Sequence, residues 1–325
     1  MEKNNLSFYF PKRVNIEVTN HCNIKCIICP HGHDLVEKKG YMSFEVFKKI
    51  IDELAGSQYE IPQISLFGIG ESLLHPRFFD MAVYGKSKGF YQRLTTNGFF
   101  LTPGNAEKII STKALDFIEI SFDDKAEKYE KYKGGKIYDI VLDNIDNFIL
   151  RNKDIQVLIK FIQYEMEDQF HIFEDIKQRF NRDNVTLVAC EVSSWRGTMG
   201  MEFLSEQARE KIFAKIRQEP LKMKCRNGAD MGMFSWDGSL RSCYMDYNNE
   251  KTFGNIKESS LLELFFSQKR IEFIDNIVSG NHQQNYICKD CLSPYNMNDK
   301  RILVASSGQN TETRGSHFNV VHKIV

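Results

Sequence analysis

The sequence predicts an α/β protein that begins with a partial (β/α)6 barrel of the TIM type and continues into a small α+β unit. Two observations lead to this fold class. Short apolar runs alternate with amphipathic stretches up to about Gly200, a pattern typical of β-α units with a parallel sheet. Beyond that point the chain changes to a charged helical stretch and then to a hairpin motif. Six β-α units leave a barrel open, with a mouth wide enough for a large substrate.

Six apolar runs are candidate strands because they are short and bounded by turn residues. The stretches between them are candidate helices, and in the first of these Ser43 is a suitable N-cap for a helix with one apolar face. In a barrel of this kind, functional residues lie at the C-terminal ends of the strands. The candidate strands are Val14–Val18, Gln63–Phe67, Tyr91–Thr95, Asp116–Ser121, Ile155–Ile162 and Val185–Val192.

The rest of the chain is expected to form a smaller unit. Residues 205–219 read as a linker helix, and Asp237 and Gly238 form the turn of a hairpin. A long helix is expected over Glu258–Val278. The stretch Ala305–Gly315 is rich in Ser, Gly, Asn and Thr, which predicts a flexible tail. We therefore expect four parts: the barrel over 1–200, the linker helix over 201–220, the small unit over 221–300 and the tail over 301–325.

Composition narrows the class of protein. The 325 residues include 43 Lys plus Arg and 43 Asp plus Glu, so charge does not indicate a nucleic-acid partner. We find no signal-peptide core and no apolar run near the roughly 18 residues of a membrane span. A cytoplasmic protein without a membrane partner is expected. Eight cysteines in a reducing compartment indicate metal ligation or catalysis rather than disulfides.

The most informative motif is a cysteine loop just after the first strand. Three residues separate Cys22 from Cys26, and two separate Cys26 from Cys29. Three thiolates would supply all but one of the ligands of a four-iron, four-sulfide cluster and leave one iron open to a small molecule. A zinc or redox loop is the alternative from the residues alone. This spacing and position resemble the signature of the radical S-adenosylmethionine enzymes.

The resemblance implies cofactors and a reaction type. In this family S-adenosyl-L-methionine chelates the open iron of a [4Fe-4S] cluster, and one electron cleaves it to methionine and a 5′-deoxyadenosyl radical. That radical abstracts a hydrogen atom from an unreactive carbon. The implied partners are a small-molecule substrate and reduced flavodoxin or ferredoxin as electron donor.

A second cysteine group lies in the small unit. Cys225, Cys243, Cys288 and Cys291 would make a closed site, for which zinc and a four-iron cluster are nearly equal readings from the residues alone. The pattern resembles the SPASM family of auxiliary-cluster domains in its shortened Twitch form, and is similar to that of the 2-deoxy-scyllo-inosamine dehydrogenases. Residues 292–325 contain no cysteine. The resemblance therefore implies one auxiliary cluster, hence two [4Fe-4S] clusters in all.

Two segments at strand ends resemble the family's nucleotide-binding segments. The segment over 68–71 resembles a Gly-Gly-Glu motif, which implies that Gly68, Gly70 and Glu71 bind the methionine ammonium group; an ordinary glycine-rich turn is the alternative. Thr96 and Asn97 belong to a Thr-Asn-Gly segment beside the nucleotide. Its alternative reading is a simple turn.

Further candidates follow the later strands. Ser121 closes the fourth strand, where family members contact the ribose, although a helix cap is the alternative. Lys160 and Glu191, on the fifth and sixth strands, are candidates for contacts to the nucleotide carboxylate or the substrate, or else solvated charges. Arg196 is the catalytic candidate because it would polarise a substrate alkoxide. A surface guanidinium stacked on Trp195 is the alternative for Arg196.

Three functions compete. The first is a radical S-adenosylmethionine dehydrogenase that oxidises a secondary alcohol of a sugar or cyclitol, with the auxiliary cluster as electron acceptor. The second is a maturase that modifies a peptide or protein. The third is a metal-binding adaptor without turnover, with zinc in the second cysteine group. The first is the expected function.

Overall fold

Six parallel strands form the barrel part of the sheet in the computed structural model. It describes residues 7–123, 125–163, 172, 174–191, 195, 206, 210, 214, 225, 227–281, 284–289, 291, 300–304 and 310–314. Each strand pairs in parallel with the next one along the chain, which confirms the predicted barrel. The strands are β1 (Arg13–Ile16), β2 (Gln63–Leu66), β3 (Tyr91–Thr96), β4 (Phe117–Phe122), β5 (Gln156–Gln163) and β6 (Val185–Glu191).

Helices connect these strands, as the alternating pattern predicts. In the first of them Ser43 is the N-cap, since its Oγ accepts a hydrogen bond from the N–H of Val46 at 3.2 Å. The buried face of the same helix includes Phe47 and Ile50. The helices are α1 (Phe44–Ala55), α2 (Phe78–Ser87), α3 (Pro103–Thr112), α4 (Ala126–Lys133), α5 (Tyr138–Arg151) and α6 (Glu174–Arg179).

The two faces of the strands differ in chemistry. Ile118 and Ile120 of β4 belong to the main core, whereas Phe117 joins Leu158 and Val188 in a separate small cluster. Because side chains alternate along a strand, the residue between Ile118 and Ile120 lies on the face of Phe117. That residue is Glu119, which is 4% exposed. The inner face of the barrel therefore carries the buried carboxylate of Glu119 next to the small apolar cluster that contains Phe117.

The second unit extends the same sheet on the other side of β1. Its first strand pairs in parallel with β1 and then forms the predicted hairpin, in which Gly238 has a φ of 90° that favours glycine. The sequence did not predict that the two units share a sheet. The elements are α7 (Asn227–Asp230), β7 (Met231–Phe234), β8 (Ser239–Arg241), β9 (Thr252–Asn255), α8 (Leu261–Phe265) and α9 (Gln268–Ser279).

The single long helix expected over Glu258–Val278 is wrong. Ser260 and Glu263 form a capping box that starts α8 at its first residue, Leu261. Ser267 then interrupts the helix and occupies the N-cap position of α9. Polar residues that compete for backbone groups thus divide the stretch into two shorter helices.

Two segments in the region of the expected flexible tail form strands, β10 (Lys300–Val304) and β11 (Asn310–Arg314), and β10 pairs antiparallel with β6. The rest of the tail lies outside the described residues. The backbone of β10 forms hydrogen bonds with the free edge of β6. The apolar residues at 302–304 favour a strand at this position. The predicted linker helix over 205–219 lies outside the described residues, except for 206, 210 and 214. The order of strands is β11-β10-β6-β5-β4-β3-β2-β1-β7-β8-β9.

No helix among the described residues is both long enough and apolar enough to cross a membrane.

Candidate active site

The first cysteine loop follows β1 and is held by backbone contacts. The N–H of Cys29 donates to the carbonyl of Cys26 at 3.0 Å, and the N–H of Ile27 donates to the carbonyl of Tyr132 in α4 at 2.9 Å. A Cβ at Gly32 would lie 2.2 Å from the carbonyl oxygen of Cys26, so this turn requires glycine. The loop is therefore anchored to the barrel at the carboxyl end of β1.

The three thiols of this loop share one electrostatic environment. Burial raises the pKa of Cys22 to about 12 and also raises the pKa values of Cys26 and Cys29, and neighbouring cysteine charges add to the shifts of Cys22 and Cys29. Thiolates placed together in such a site need compensating positive charge. A cluster of iron ions supplies that charge, so these residues fit one.

Glu71 lies where β2 meets the next turn, 2% exposed. Its Oε1 accepts hydrogen bonds from the Oγ1 of Thr96 at 2.9 Å and the N–H of Leu73 at 3.2 Å, and its Oε2 accepts one from the N–H of Asn97 at 2.8 Å. Burial raises the pKa of Glu71 to about 7, against the opposing effect of these hydrogen bonds. A buried carboxylate of this kind fits a ligand that carries an ammonium group.

Asn97 connects this carboxylate to the cysteine loop. Its Nδ2 lies 4.0 Å from the Sγ of Cys22 and donates to the Oδ1 of Asn23 at 3.0 Å. The structure thus brings together predicted residues from three strand ends, because the carboxyl ends of parallel strands meet at one edge of the sheet. Glu71, Thr96, Asn97 and Cys22 form one continuous set of contacts.

The glycines of the 68–71 turn allow close approach to the β1 end. A Cβ at Gly70 would lie 2.5 Å from the carbonyl oxygen of Thr19 and 2.6 Å from that of His21, and a Cβ at Gly68 would lie 2.3 Å from the Glu17 side chain. The N–H of Glu71 donates to the carbonyl of His21 at 2.8 Å. The turn and the start of the cysteine loop are therefore in direct contact.

Ser121 and Lys160 occupy paired positions on β4 and β5. The Nζ of Lys160 lies 2.7 Å from the Oε1 of Glu119, and the guanidinium of Arg93 lies 3.8 Å from the other oxygen of Glu119. Sequence reasoning missed Glu119 and Arg93. In the sequence, each lies in an ordinary strand pattern. Only the structure reveals that both side chains lie beside Lys160 on the inner face of the barrel.

Two more residues, Glu191 and Arg196, were predicted at the barrel mouth. Glu191 ends β6, and Arg196 lies outside the described residues. Trp195 is described, and its indole N–H donates to the carbonyl of Ile28 in the cysteine loop at 2.6 Å. Trp195 thereby contacts the loop between Cys26 and Cys29 directly.

The four cysteines of the second unit also face one another. Burial raises the pKa of Cys243 well above its usual value, and charge on any of the other three would raise it further. Two of them lie within one turn, where the N–H of Cys291 donates to the carbonyl of Cys288 at 3.1 Å, while the N–H of Cys225 donates to the carbonyl of Ile277. The four thiols therefore converge from the hairpin, the start of α7 and the segment after α9.

Four buried thiols are a donor set that two kinds of metal site accept. A structural zinc ion binds four sulfurs at about 2.3 Å from one centre, and a four-iron cluster binds one thiolate at each iron. The burial of Cys243 and the effect of charge on the other three cysteines fit either site.

Comparison with known proteins agrees with both sites. The family model of the radical SAM superfamily matches residues 16–193, more than half of the chain. The chain belongs to the radical SAM superfamily. A second family model, SPASM, described as an iron-sulfur cluster-binding domain, matches residues 225–292. This radical SAM enzyme therefore uses S-adenosylmethionine and a [4Fe-4S] cluster, and its SPASM domain binds auxiliary iron–sulfur clusters.

Curated relatives of this radical SAM enzyme differ in activity. A tungsten-containing aldehyde ferredoxin oxidoreductase cofactor-modifying protein of Pyrococcus furiosus is 35% identical over 112 residues, 34% of this chain and 31% of the relative. The first curated relatives are matched over only about a third of their length. An S-adenosyl-L-methionine-dependent 2-deoxy-scyllo-inosamine dehydrogenase of Niallia circulans is 20% identical, over 86% of this chain and 91% of the relative.

Solved structures agree on the fold. BtrN in complex with AdoMet and 2-DOIA matches with a TM-score of 0.58 at 16% identity, over 87% of this chain and 93% of BtrN. Streptococcus suis SuiB bound to precursor peptide SuiA matches with a TM-score of 0.65 at 14% identity, over 88% of this chain and 71% of SuiB. At these identities the likeness concerns the fold alone.

Proposed function

We propose that this radical SAM enzyme oxidises a secondary alcohol of a sugar- or cyclitol-type small molecule. The observation that carries the proposal is the closed set of four converging thiols, Cys225, Cys243, Cys288 and Cys291. A site with four protein ligands has no open position for substrate, so its use is electron transfer or structure. An oxidation needs an electron acceptor, and this site would provide one. The match to a dehydrogenase over 86% of this chain supports the same choice.

Different residues of the barrel would bind the first cluster and S-adenosylmethionine. Cys22, Cys26 and Cys29 would hold the first cluster, and Glu71 would take the ammonium group of S-adenosylmethionine together with the backbone of Gly68 and Gly70. When bound, the first cluster and S-adenosylmethionine would supply the 5′-deoxyadenosyl radical that takes a hydrogen atom from the substrate, and a cluster on Cys225, Cys243, Cys288 and Cys291 would accept the second electron.

Other polar groups would position nucleotide and substrate. Ser121 would contact the ribose, and Thr96 and Asn97 would fix the carboxylate of Glu71 through the hydrogen bonds already described. Lys160 and Glu191 remain candidates for the substrate or the nucleotide carboxylate. Arg196 would polarise the substrate alkoxide, whose proton must leave as the ketone forms. Reduced flavodoxin or ferredoxin would deliver the first electron.

The test is product analysis with the anaerobically reconstituted enzyme. A panel of cyclitols, amino-cyclitols and sugars, each deuterated at the carbinol carbon, is incubated with S-adenosylmethionine and dithionite. The proposal requires a product with two hydrogens fewer and transfer of deuterium into 5′-deoxyadenosine. A variant with Cys22, Cys26 and Cys29 changed to Ala should give neither product. Transfer of deuterium into 5′-deoxyadenosine with a product at the same oxidation level as the substrate would contradict the proposal.

A second candidate is modification of a peptide. SuiB, which has a similar fold, is described with a bound precursor peptide, and mycofactocin maturases are 29% identical over 132 residues. Deuterium transfer from a peptide rather than from a cyclitol would support this alternative. A chain that never forms 5′-deoxyadenosine would support the adaptor hypothesis.

A further inference from the structure

Glu17 and Arg241 form an ion pair that is buried between the barrel and the SPASM unit. The Nη2 of Arg241 donates to the Oε2 of Glu17 at 2.7 Å, and Nη1 lies 3.4 Å from Oε1. The side chain of Arg241 is 1% exposed and that of Glu17 is 0% exposed. Bidentate geometry fixes the angle as well as the distance between the partners. Breaking such a pair would leave an uncompensated charge in the interior, so the contact strongly restrains one unit against the other.

The same carboxylate also holds the turn over 68–71. The N–H of Ile69 donates to the Oε2 of Glu17 at 3.0 Å. Gly68 packs against the Glu17 side chain so closely that a Cβ there would lie 2.3 Å from both its Cγ and its Oε2. One oxygen of Glu17 therefore joins a donor from the turn to a donor from Arg241. The turn cannot shift on that side without disturbing a buried carboxylate.

Arg241 in turn is joined to the auxiliary site. It ends β8 two residues before Cys243, and its Nη1 lies 3.4 Å from the Oδ1 of Asn249 in the loop that follows. The intervening Ser242 donates its backbone N–H to Lys251 at 2.9 Å. The position of Arg241 therefore depends on the loop that carries Cys243.

We propose that Glu17 and Arg241 are positioning residues that couple the auxiliary cluster site to the S-adenosylmethionine-binding turn. The inference rests on the proposed placement of S-adenosylmethionine at the turn over 68–71. Occupancy of the four-cysteine site orders the loop after Cys243, keeps Arg241 on Glu17 and so holds the turn in its binding geometry. Because coupling between sites is reciprocal, S-adenosylmethionine also stabilises the auxiliary site.

The experiment measures S-adenosylmethionine affinity by anaerobic equilibrium dialysis of the reconstituted full chain without reductant. Removing the auxiliary cluster with Cys225→Ala/Cys243→Ala should weaken binding about fivefold or more. Arg241→Met should weaken binding by itself, and removing the auxiliary cluster in that background should then change the Kd less than about twofold. An equal loss in both backgrounds, or no loss in the parent, would overturn the proposal.

Arg270→Met is the matched control. Arg270 is another fully buried guanidinium of the C-terminal half, 1% exposed, but it donates to the carbonyls of Tyr9 and Phe265. Arg270→Met should lower the Tm. Its affinity for S-adenosylmethionine should still depend on the auxiliary cluster as much as the affinity of the parent does. If Arg241→Met does not fold, Glu17→Gln replaces it, since it removes the charge and keeps the shape.

One further variant separates this proposal from the assignment of the turn. Glu71→Gln should weaken S-adenosylmethionine binding whether or not the two sites are coupled. If it does so and the auxiliary cluster has no effect on affinity, only the coupling is wrong. If Glu71→Gln leaves affinity unchanged, the assigned turn is wrong and the coupling proposal falls with it. A shift in the electron paramagnetic resonance spectrum of the reduced auxiliary cluster on addition of S-adenosylmethionine, lost in Arg241→Met, would support the reciprocal effect.

Discussion

The main-chain N–H of Asn97 donates to the Oε2 of Glu71 at 2.8 Å, across the ends of two neighbouring strands. The hydroxyl of Thr96 donates a hydrogen bond to the other carboxylate oxygen, Oε1. These bonds orient the carboxylate, while burial opposes its ionisation and raises its pKa to about 7. Near neutral pH the group is therefore balanced between a protonated form and the ionised form that an ammonium ligand requires.

We predict that S-adenosylmethionine affinity depends on Glu71 and on pH. Protonation disfavours ammonium binding, so affinity of the parent should fall as the pH drops from 7.5 to 6, approaching about tenfold per pH unit well below the pKa. Glu71→Gln should bind about 10- to 100-fold more weakly, from the loss of a charge-assisted hydrogen bond, and with a flatter pH profile. Equilibrium dialysis in a constant-ionic-strength buffer series measures both. An unchanged pH profile in the variant would show that another group titrates.

The same shift predicts an opposite effect on stability without ligand. A carboxyl group whose pKa is raised in the folded state stabilises the fold at pH values below its ordinary pKa, and that stabilisation is lost as the pH rises through 7. Glu71→Gln cannot ionise, so its free energy of unfolding should fall less than that of the parent between pH 5 and pH 8, by at most about 3 kcal/mol. The glutamine NH2 group meets donors that now bond to the carboxylate, and this cost is the same at both pH values. Urea unfolding at pH 5 and pH 8 measures the two differences, and equal pH dependence in parent and variant would contradict the prediction.

This part of the site was predicted because the segments that hold Glu71, Thr96 and Asn97 resemble the nucleotide-binding segments of the family. The fold explains why they meet, since Glu71 follows β2, Thr96 ends β3 and Asn97 comes next, and parallel strands bring their carboxyl ends to one edge. Glu119 was missed because no such resemblance marks it. It lies inside an apolar run, where alternation shows that it faces inward but not that Lys160 and Arg93 from neighbouring strands lie within reach.

Contacts between the two units were beyond sequence reasoning. Glu17 and Arg241 are 224 positions apart, and no local pattern records that β7 pairs with β1. The strand β10 was missed because its neighbours in sequence are Ser, Gly and Asn, whose turn preference outweighed the short apolar run at 302–304. Pairing with the edge of β6, a tertiary effect, decided the outcome.

We predict that Gly70→Ala disrupts S-adenosylmethionine binding. The new Cβ would lie 2.5 Å from the backbone carbonyl of Thr19 and 2.6 Å from that of His21, and backbone atoms cannot yield as a flexible side chain can. The turn must therefore shift away from the cysteine loop, and we expect at least about tenfold weaker binding. Gly104→Ala is the control, since a Cβ there meets nothing within 4 Å and Gly104 lies in α3. It should stabilise the helix by about 0.5–1 kcal/mol and leave binding unchanged.

We predict about eight irons per reconstituted chain and no stoichiometric zinc. Changing Cys22, Cys26 and Cys29 to Ala should leave about four irons, and changing Cys225 and Cys243 to Ala should also leave about four. Iron, sulfide and zinc analysis under anaerobic conditions makes the measurement. About four irons in the parent with one zinc retained in the first variant would instead place zinc in the second site and favour radical chemistry that needs no second electron acceptor.

The last prediction concerns the charges inside the barrel. Lys160 lies 2.7 Å from the buried Glu119, with side-chain exposures of 20% and 5%, and Lys160→Met would remove part of the compensation for that carboxylate. We expect a loss of about 1–3 kcal/mol in the free energy of unfolding, measured by urea denaturation. Lys49→Met is the control, because Lys49 forms an (i, i+4) pair with Glu53 on the surface of α1 and should change stability by at most about 0.5 kcal/mol. Adding Glu119→Gln to Lys160→Met should recover part of the loss, because it removes the carboxylate that Lys160 compensates. If Lys160→Met instead matches Lys49→Met, Arg93 and solvent rather than Lys160 compensate Glu119, and Lys160 is available to bind the nucleotide or substrate.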